Sequence, residues 1–216
     1  MPLLLLDLDN TLVDRAGAFR TWAASYLAER GDSPDLLEEM VVADGDGLHH
    51  KPGVAAAITS LLGLGQDEQD AIITTLRAGV VEHLTLVPDA EAALAAARGA
   101  GWTPFIVTNG VVAQQEAKIH TLGLDRLVDG WVVSEGVGFT KPDPRIFTVA
   151  AERAGQSLDG AWMVGDSAEA DIAGAHAAGI ASVYLSRGRA WTASVTEPTA
   201  FADSLGEAVR VALASR

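Results

Sequence analysis

Apolar residues along this chain follow two rhythms. Residues 3–6 are four consecutive leucines, a continuous run that predicts a buried strand. The run stops at Asp7-Leu8-Asp9. After Thr11 the spacing becomes helical. Over residues 16–30, Phe19, Trp22, Ala23, Tyr26 and Leu27 recur at intervals that predict a helix, and Gly31 suits its end. Further helices are expected at 35–42, 54–64 and 66–84, with a polar loop at 44–53. No strand pattern occurs between Thr11 and Pro104.

From Val87 onward strands and helices alternate. Pro88 and Asp89 open a helix over 89–100 that Gly101 closes. Strands are expected at 104–108, 131–134, 161–164 and 181–185, the last clear one. Helices are expected at 110–122, 143–154, 167–178 and from 204 to the end. Such alternation predicts an α/β fold with a doubly wound, mainly parallel sheet. The sheet would be built from residues 1–14 and 84–216, with 15–83 a helical insertion. Trp102, Trp131 and Trp162 adjoin these strands and read as core.

With 216 residues, 49% of them hydrophobic, the chain can bury a substantial core in one domain with an insertion, or in two modest domains. A net charge of −14 argues against nucleic-acid polymers and anionic membranes as partners. A small anionic substrate remains compatible, because a metal and a few cations can reverse the sign inside one pocket. Without cysteine there are no disulfides and no thiolate chemistry. The apolar start lacks a basic flank and is broken by Asp7, and no stretch is long and apolar enough to span a bilayer. A cytoplasmic protein is expected.

The chemistry gathers at strand ends. Asp7 and Asp9 point to the same side of an extended chain, and two such carboxylates call for a cation, most simply divalent. Thr108-Asn109-Gly110 ends the second strand with a hydroxyl, an amide and backbone N–H groups at a helix start, a potential anion site. Lys141, held by Pro142, is a point charge suited to a phosphate or a carboxylate. Gly165-Asp166-Ser167, followed by Asp171, ends the fourth strand. Asp166 could complete with Asp7 an oxygen-rich site for Mg²⁺. Each segment alone reads as a turn or a helix cap. Their placement, in order, at strand ends of one sheet makes them a site.

These segments resemble the motifs of the haloacid dehalogenase-like hydrolases. The family's Asp-x-Asp-x-Thr start is similar to Asp7-Leu8-Asp9-Asn10-Thr11, and its strand-end Thr or Ser to Thr108. Its Lys is matched by Lys141, and its Gly-Asp with a further acid by Gly165, Asp166 and Asp171. The resemblance covers the whole core and implies that residues 15–83 form a helical cap domain. It also implies a Mg²⁺-dependent phosphatase acting on a small phosphorylated metabolite, such as a nucleoside monophosphate or a sugar phosphate.

In that reading Asp7 is the nucleophile that becomes an aspartyl-phosphate. Asp9 is the general acid and base, and its backbone carbonyl also ligates the metal. Thr108, Asn109, Gly110 and Lys141 bind the phosphoryl group. Asp166 binds Mg²⁺ directly, and Asp171 either orders a metal-bound water or pairs with Lys141. Phosphomutase, haloacid dehalogenase and a non-catalytic phosphate-binding protein are the alternatives. The family's dehalogenases need neither the second acid nor a metal, so Asp9, Asp166 and Asp171 favour phosphoryl transfer. Arg15, Arg20, His49, His50 and Lys51 in the insertion, and Arg187 and Arg189 after the last strand, are the candidates for substrate contact, while Trp191 reads equally as a pocket or a packing residue.

Overall fold

The leucine run forms β1 (Leu3–Leu6), with all four side chains inaccessible to solvent. The chain, a computed structural model that describes every residue except Ala193 and Arg216, then leaves the sheet for four helices. These are α1 (Arg15–Arg30), α2 (Leu37–Asp44), α3 (Lys51–Leu61) and α4 (Gln69–Glu82). It returns through α5 (Ala90–Gly99), β2 (Thr103–Thr108), α6 (Val112–Thr121), β3 (Trp131–Val133), α7 (Ser134–Val137) and α8 (Arg145–Ala154). The last stretch holds β4 (Trp162–Gly165), a π-helical turn (Ala168–Ile172), α9 (Ala173–Ala177), β5 (Ala181–Leu185), β6 (Ala200–Ala202) and α10 (Leu205–Leu213). Two compact units result, Met1–Val13 with Leu86–Arg216, and Asp14–Thr85.

In the first unit the strands pair in the order β3-β2-β1-β4-β5-β6, every neighbouring pair parallel. The fold is therefore a doubly wound α/β sheet. Leu3 and Leu5 share a cluster with Phe105, Val107, Met163 and the Ile146 and Phe147 side chains of α8. Leu4 and Leu6 point to the opposite face by alternation and are equally buried. α5 packs on β2, and α10 on β5 and β6. This two-sided burial explains the unbroken apolar run of β1. The chain moves outward from β1 to β2 and β3, then crosses to β4 on the other side. Loops leaving β1 and β4 consequently diverge and open a crevice at the carboxyl ends of these strands.

Several elements depart from the sequence pattern. β6 is a three-residue edge strand, too short to show a period, and it is recruited by pairing with Val183–Leu185 of β5. α8 begins at Arg145 rather than 143, because the Asp143 carboxylate accepts from the Arg145 backbone N–H at 3.0 Å and caps the helix from outside. The expected helix over 167–178 is a wide turn followed by the short α9. Residue 134 ends no strand but starts α7. The closing helix ends at Leu213, and Arg216, part of that expectation, lies outside the described residues. Trp102 and Trp162 are buried, whereas Trp131 is only half-buried, its indole donating to Glu116 at 3.0 Å.

The second unit has its own core, including Met40, Val54, Ile58, Ile72 and Leu76. α1 packs on α2 and α4, and α3 on α2 and α4. Gly79 of α4 lets Trp22 of α1 lie against the helix backbone, since any Cβ there would overlap the indole. Arg15 and Asp44 are buried together, the guanidinium donating to both carboxylate oxygens, one at 2.6 Å. Lys51 approaches the same carboxylate at 3.5 Å. The expected loop over 44–53 is shorter than its composition implied, because Lys51, Pro52 and Gly53 form the first turn of α3, where Pro is well tolerated. Arg20 is paired with Glu38 at the surface, and the His49 ring meets the Ala43 carbonyl at 2.8 Å.

Candidate active site

Asp7 follows β1 directly, and its N–H donates to the Val164 carbonyl of β4 at 2.9 Å. The sheet hydrogen bonding thus extends one residue beyond β1 and holds Asp7 at the switch point. Asn10 then takes a left-handed conformation, φ 60°, which Asn tolerates better than most residues. The N–H groups of Thr11, Leu12 and Val13 all point at the Leu8 carbonyl. This tight turn keeps Asp7 and Asp9 at the strand end.

Lys141 reaches into the same place. Its ammonium donates to Asp7 Oδ1 at 2.6 Å, Asp171 Oδ1 at 2.7 Å and the Val107 carbonyl at 2.7 Å. Three donors meet three acceptors, which satisfies a buried ammonium completely. The Asn109 side chain sets the loop that carries it. Its amide donates to the Lys141 carbonyl at 3.0 Å and its oxygen accepts the Lys141 N–H at 2.9 Å.

Asp166 ends β4, and Asp171 folds back beneath it. Asp171 Oδ2 accepts the Ser167 N–H at 3.0 Å, and the Ser167 hydroxyl caps Ala170. Gly165 makes room for this fold, because a Cβ there would overlap the Asp171 carboxyl. That return of the side chain accompanies the wide turn that replaces the expected helix. Asp171 is ion-paired with Lys141, and its carboxylate also lies beside those of Asp7 and Asp166.

Asp7, Asp166 and Asp171 each offer a carboxylate oxygen, these atoms all lying within 4.8 Å of one another, and all three residues are buried. Burial pushes the Asp7 carboxyl up to about 8, with Asp171 and Asp166 adding to the shift and Lys141 opposing it. Burial likewise raises Asp166 to about 6, reinforced by Asp171 and opposed by Arg189. For Lys141, burial alone would lower the pKa, but the neighbouring Asp171 and Asp7 raise it above its ordinary value. Lys141 and the Arg189 guanidinium together supply two positive charges against three crowded carboxylates. A hard divalent cation fits this donor set.

Asp9 is placed differently from the other three acids. Its carboxylate meets Lys118 Nζ at 2.8 and 2.6 Å and the Gln115 amide at 3.1 Å. Gln115 also donates to Thr108 Oγ1 at 2.7 Å. The Gly110 N–H, expected to face an anion, donates to Ser134 Oγ at 3.0 Å. Arg189 donates to Asp166 Oδ2 at 2.9 Å and to its carbonyl at 3.1 Å. Trp191 packs edge-on against Tyr184 and Phe201.

Gln115, Lys118 and Ser134 were not singled out from the sequence. A signal existed for the first two. On α6 the apolar row through Val112 and Ile119 also contains Gln115, with Lys118 beside it, and polar side chains on an inward face need partners. Nothing in the local sequence says that the partner is Asp9.

A parallel sheet with acids, a lysine and a hydroxyl gathered at its switch point is the arrangement in which α/β enzymes place their chemistry. Residues 1–179 match the family described as haloacid dehalogenase-like hydrolase, and the chain belongs to that family. It is 36% identical to a glyceraldehyde 3-phosphate phosphatase from Methanopyrus kandleri over 201 residues, 86% of this chain and 84% of that protein. It is 41% identical to a phosphoserine phosphatase from Thermus thermophilus over 103 residues, which is 48% of this chain and only 41% of the relative's length. The structure resembles the HAD-hydrolase YfnB from Bacillus subtilis, crystallised with magnesium, with a TM-score of 0.78 at 24% identity over 98% of both chains. At that identity the likeness concerns the fold. Among the described residues, no helix is long and apolar enough to cross a membrane.

Proposed function

We propose that this protein is a Mg²⁺-dependent phosphatase that hydrolyses a small phosphorylated metabolite, of the sugar- or triose-phosphate kind, through an aspartyl-phosphate on Asp7. The observation that carries the proposal is the Lys141 bridge between Asp7 and Asp171 beside Asp166. It supports the reading because a carboxylate, a fixed ammonium and two further acidic side chains share one buried cluster. The phosphatase named from Methanopyrus, aligned over most of both chains, supports the substrate class.

Asp7, Asp166 and Asp171, with the Asp9 carbonyl, would hold the metal. Bound there, Mg²⁺ supplies positive charge that offsets repulsion between Asp7 and the phosphate dianion. Asp7 attacks phosphorus while Lys141 neutralises charge on nucleophile and phosphoryl group. The Thr108 hydroxyl binds a phosphoryl oxygen, while the Asn109 side chain holds the loop that presents Lys141. Asp9 protonates the leaving oxygen and then takes a proton from the water that cleaves the acyl phosphate.

The test is inorganic phosphate release from a panel of sugar, triose and nucleoside phosphates and an aryl phosphate, with Mg²⁺ and with chelator. Release that requires Mg²⁺ is expected, with sugar or triose phosphates preferred. Absence of turnover on every ester would overturn the proposal in favour of a binding role. Return of phosphate to substrate would convert it to a mutase.

A further inference from the structure

Helix α6 carries two buried polar side chains whose contacts all run toward the strand ends. Gln115 and Lys118 lie three residues apart, so they share a helix face, and they are 3% and 9% exposed. The Lys118 ammonium meets both oxygens of Asp9, at 2.8 and 2.6 Å. The Gln115 amide nitrogen lies 3.1 Å from Asp9 Oδ2, 2.7 Å from Thr108 Oγ1 and 3.2 Å from the Asn109 carbonyl. A carboxylate and a carbonyl only accept, so the amide orientation is determined by its surroundings.

The consequence for Thr108 follows from hydroxyl geometry. With an amide N–H on one of its lone pairs, the hydroxyl must direct its own proton elsewhere. Its acceptor within the protein is the Asn109 carbonyl at 3.4 Å, a long contact that a phosphoryl oxygen would readily replace. Gln115 therefore turns Thr108 into a donor. Through the same amide group it grips Asp9.

We propose that Gln115 and Lys118 are a positioning pair that holds Asp9 beside Thr108 and couples proton transfer to phosphate binding through one face of α6. The inference rests on the acid–base role of Asp9 in the phosphatase reading. Neither residue exchanges the proton or attacks phosphorus; each acts through Asp9 or Thr108. Lys118 fixes where the Asp9 carboxylate stands, and Gln115 sets both its lateral position and the donor direction of Thr108.

The experiment compares wild type, K118M, K118R and Q115L after thermal melts have established folding. Measured are kcat/KM on an aryl phosphate, whose good leaving group needs little protonation, and on an alkyl phosphate, whose leaving group needs it fully. Inhibition by inorganic phosphate is measured alongside. K118M should lose roughly tenfold or more on the alkyl ester and a clearly smaller factor on the aryl ester, with K118R recovering part of the difference. Q115L should also weaken inhibition by phosphate by about threefold or more. Equal losses on both esters, or wild-type values in K118M and Q115L, would overturn the positioning role while leaving the phosphatase reading intact. A wild-type protein that hydrolyses neither ester would overturn the phosphatase reading and this inference with it.

Discussion

Asp7 is costly to keep ionised in the metal-free protein, buried as it is near two further carboxylates. Asp7→Asn should reduce turnover by at least about a thousandfold, because an amide cannot form the acyl phosphate. The fold should survive, and cooperative melting of the variant checks this. The pH dependence follows from the same burial, reinforced by the neighbouring acids. Asp7 is raised to about 8 and Asp166 to about 6, from an ordinary value near 3.8. A carboxyl raised in the folded state binds its proton more tightly there than when unfolded. Its contribution is therefore present at low pH and lost as pH rises through that interval. Thermal melts in chelator should show stability falling between about pH 4 and 8, with D7N flattening the upper part of the slope. Mg²⁺ affinity should rise with pH over the same window, since the ligands must lose their protons; titration calorimetry at several pH values would read it.

At the level of elements, contact between α1 and α4 depends on one small residue. Gly79→Ala would drive a methyl group into Trp22 and should destabilise the inserted unit by about 1–3 kcal/mol. Denaturant melts followed by tryptophan fluorescence would measure it. Legibility in the sequence also varied by element. β1, β2 and β5 were readable because buried parallel strands carry runs of mostly apolar residues. β6 was not, because three residues carry no period and the strand exists by pairing with β5. The turn over Ala168–Ile172 was read as regular helix, because Ser167 and Asp171 show their mutual hydrogen bonds only once folded. The inward face of α6 was visible as buried polar spacing, but its partner lies more than a hundred residues away in sequence.

For the molecule as a whole, the candidate metal site lies entirely within the sheet unit. A ligand that binds only the folded state adds RT ln(1 + [L]/Kd), about 2.7 kcal/mol at a hundredfold excess over Kd. Mg²⁺ should raise the melting temperature of the wild-type protein accordingly, and Asp166→Asn should abolish most of that shift; calorimetry with Mg²⁺ and with chelator decides it. The net charge of −14 does not oppose anion binding at this site, because Lys141 and a divalent ion would set the local sign.

The linear chain determined which chemistry is present and roughly where along the sheet it falls. Strand-end positions follow from hydrophobic runs, and hydrophobic burial acts on each run locally. Asp7, Thr108 and Asp166 could be assigned to strand ends in this way, and Lys141 and Asp171 to the segments that follow the third and fourth strands. What the residues at those ends do to one another was decided only by the tertiary structure. Lys141 chose Asp7 and Asp171, Asp9 chose Lys118 and Gln115, Asp166 chose Arg189, and the Gly110 N–H chose Ser134. Such choices depend on distances of a few ångströms between segments far apart in sequence, and on which charges burial leaves unbalanced. Neither quantity is written in spacing along the chain.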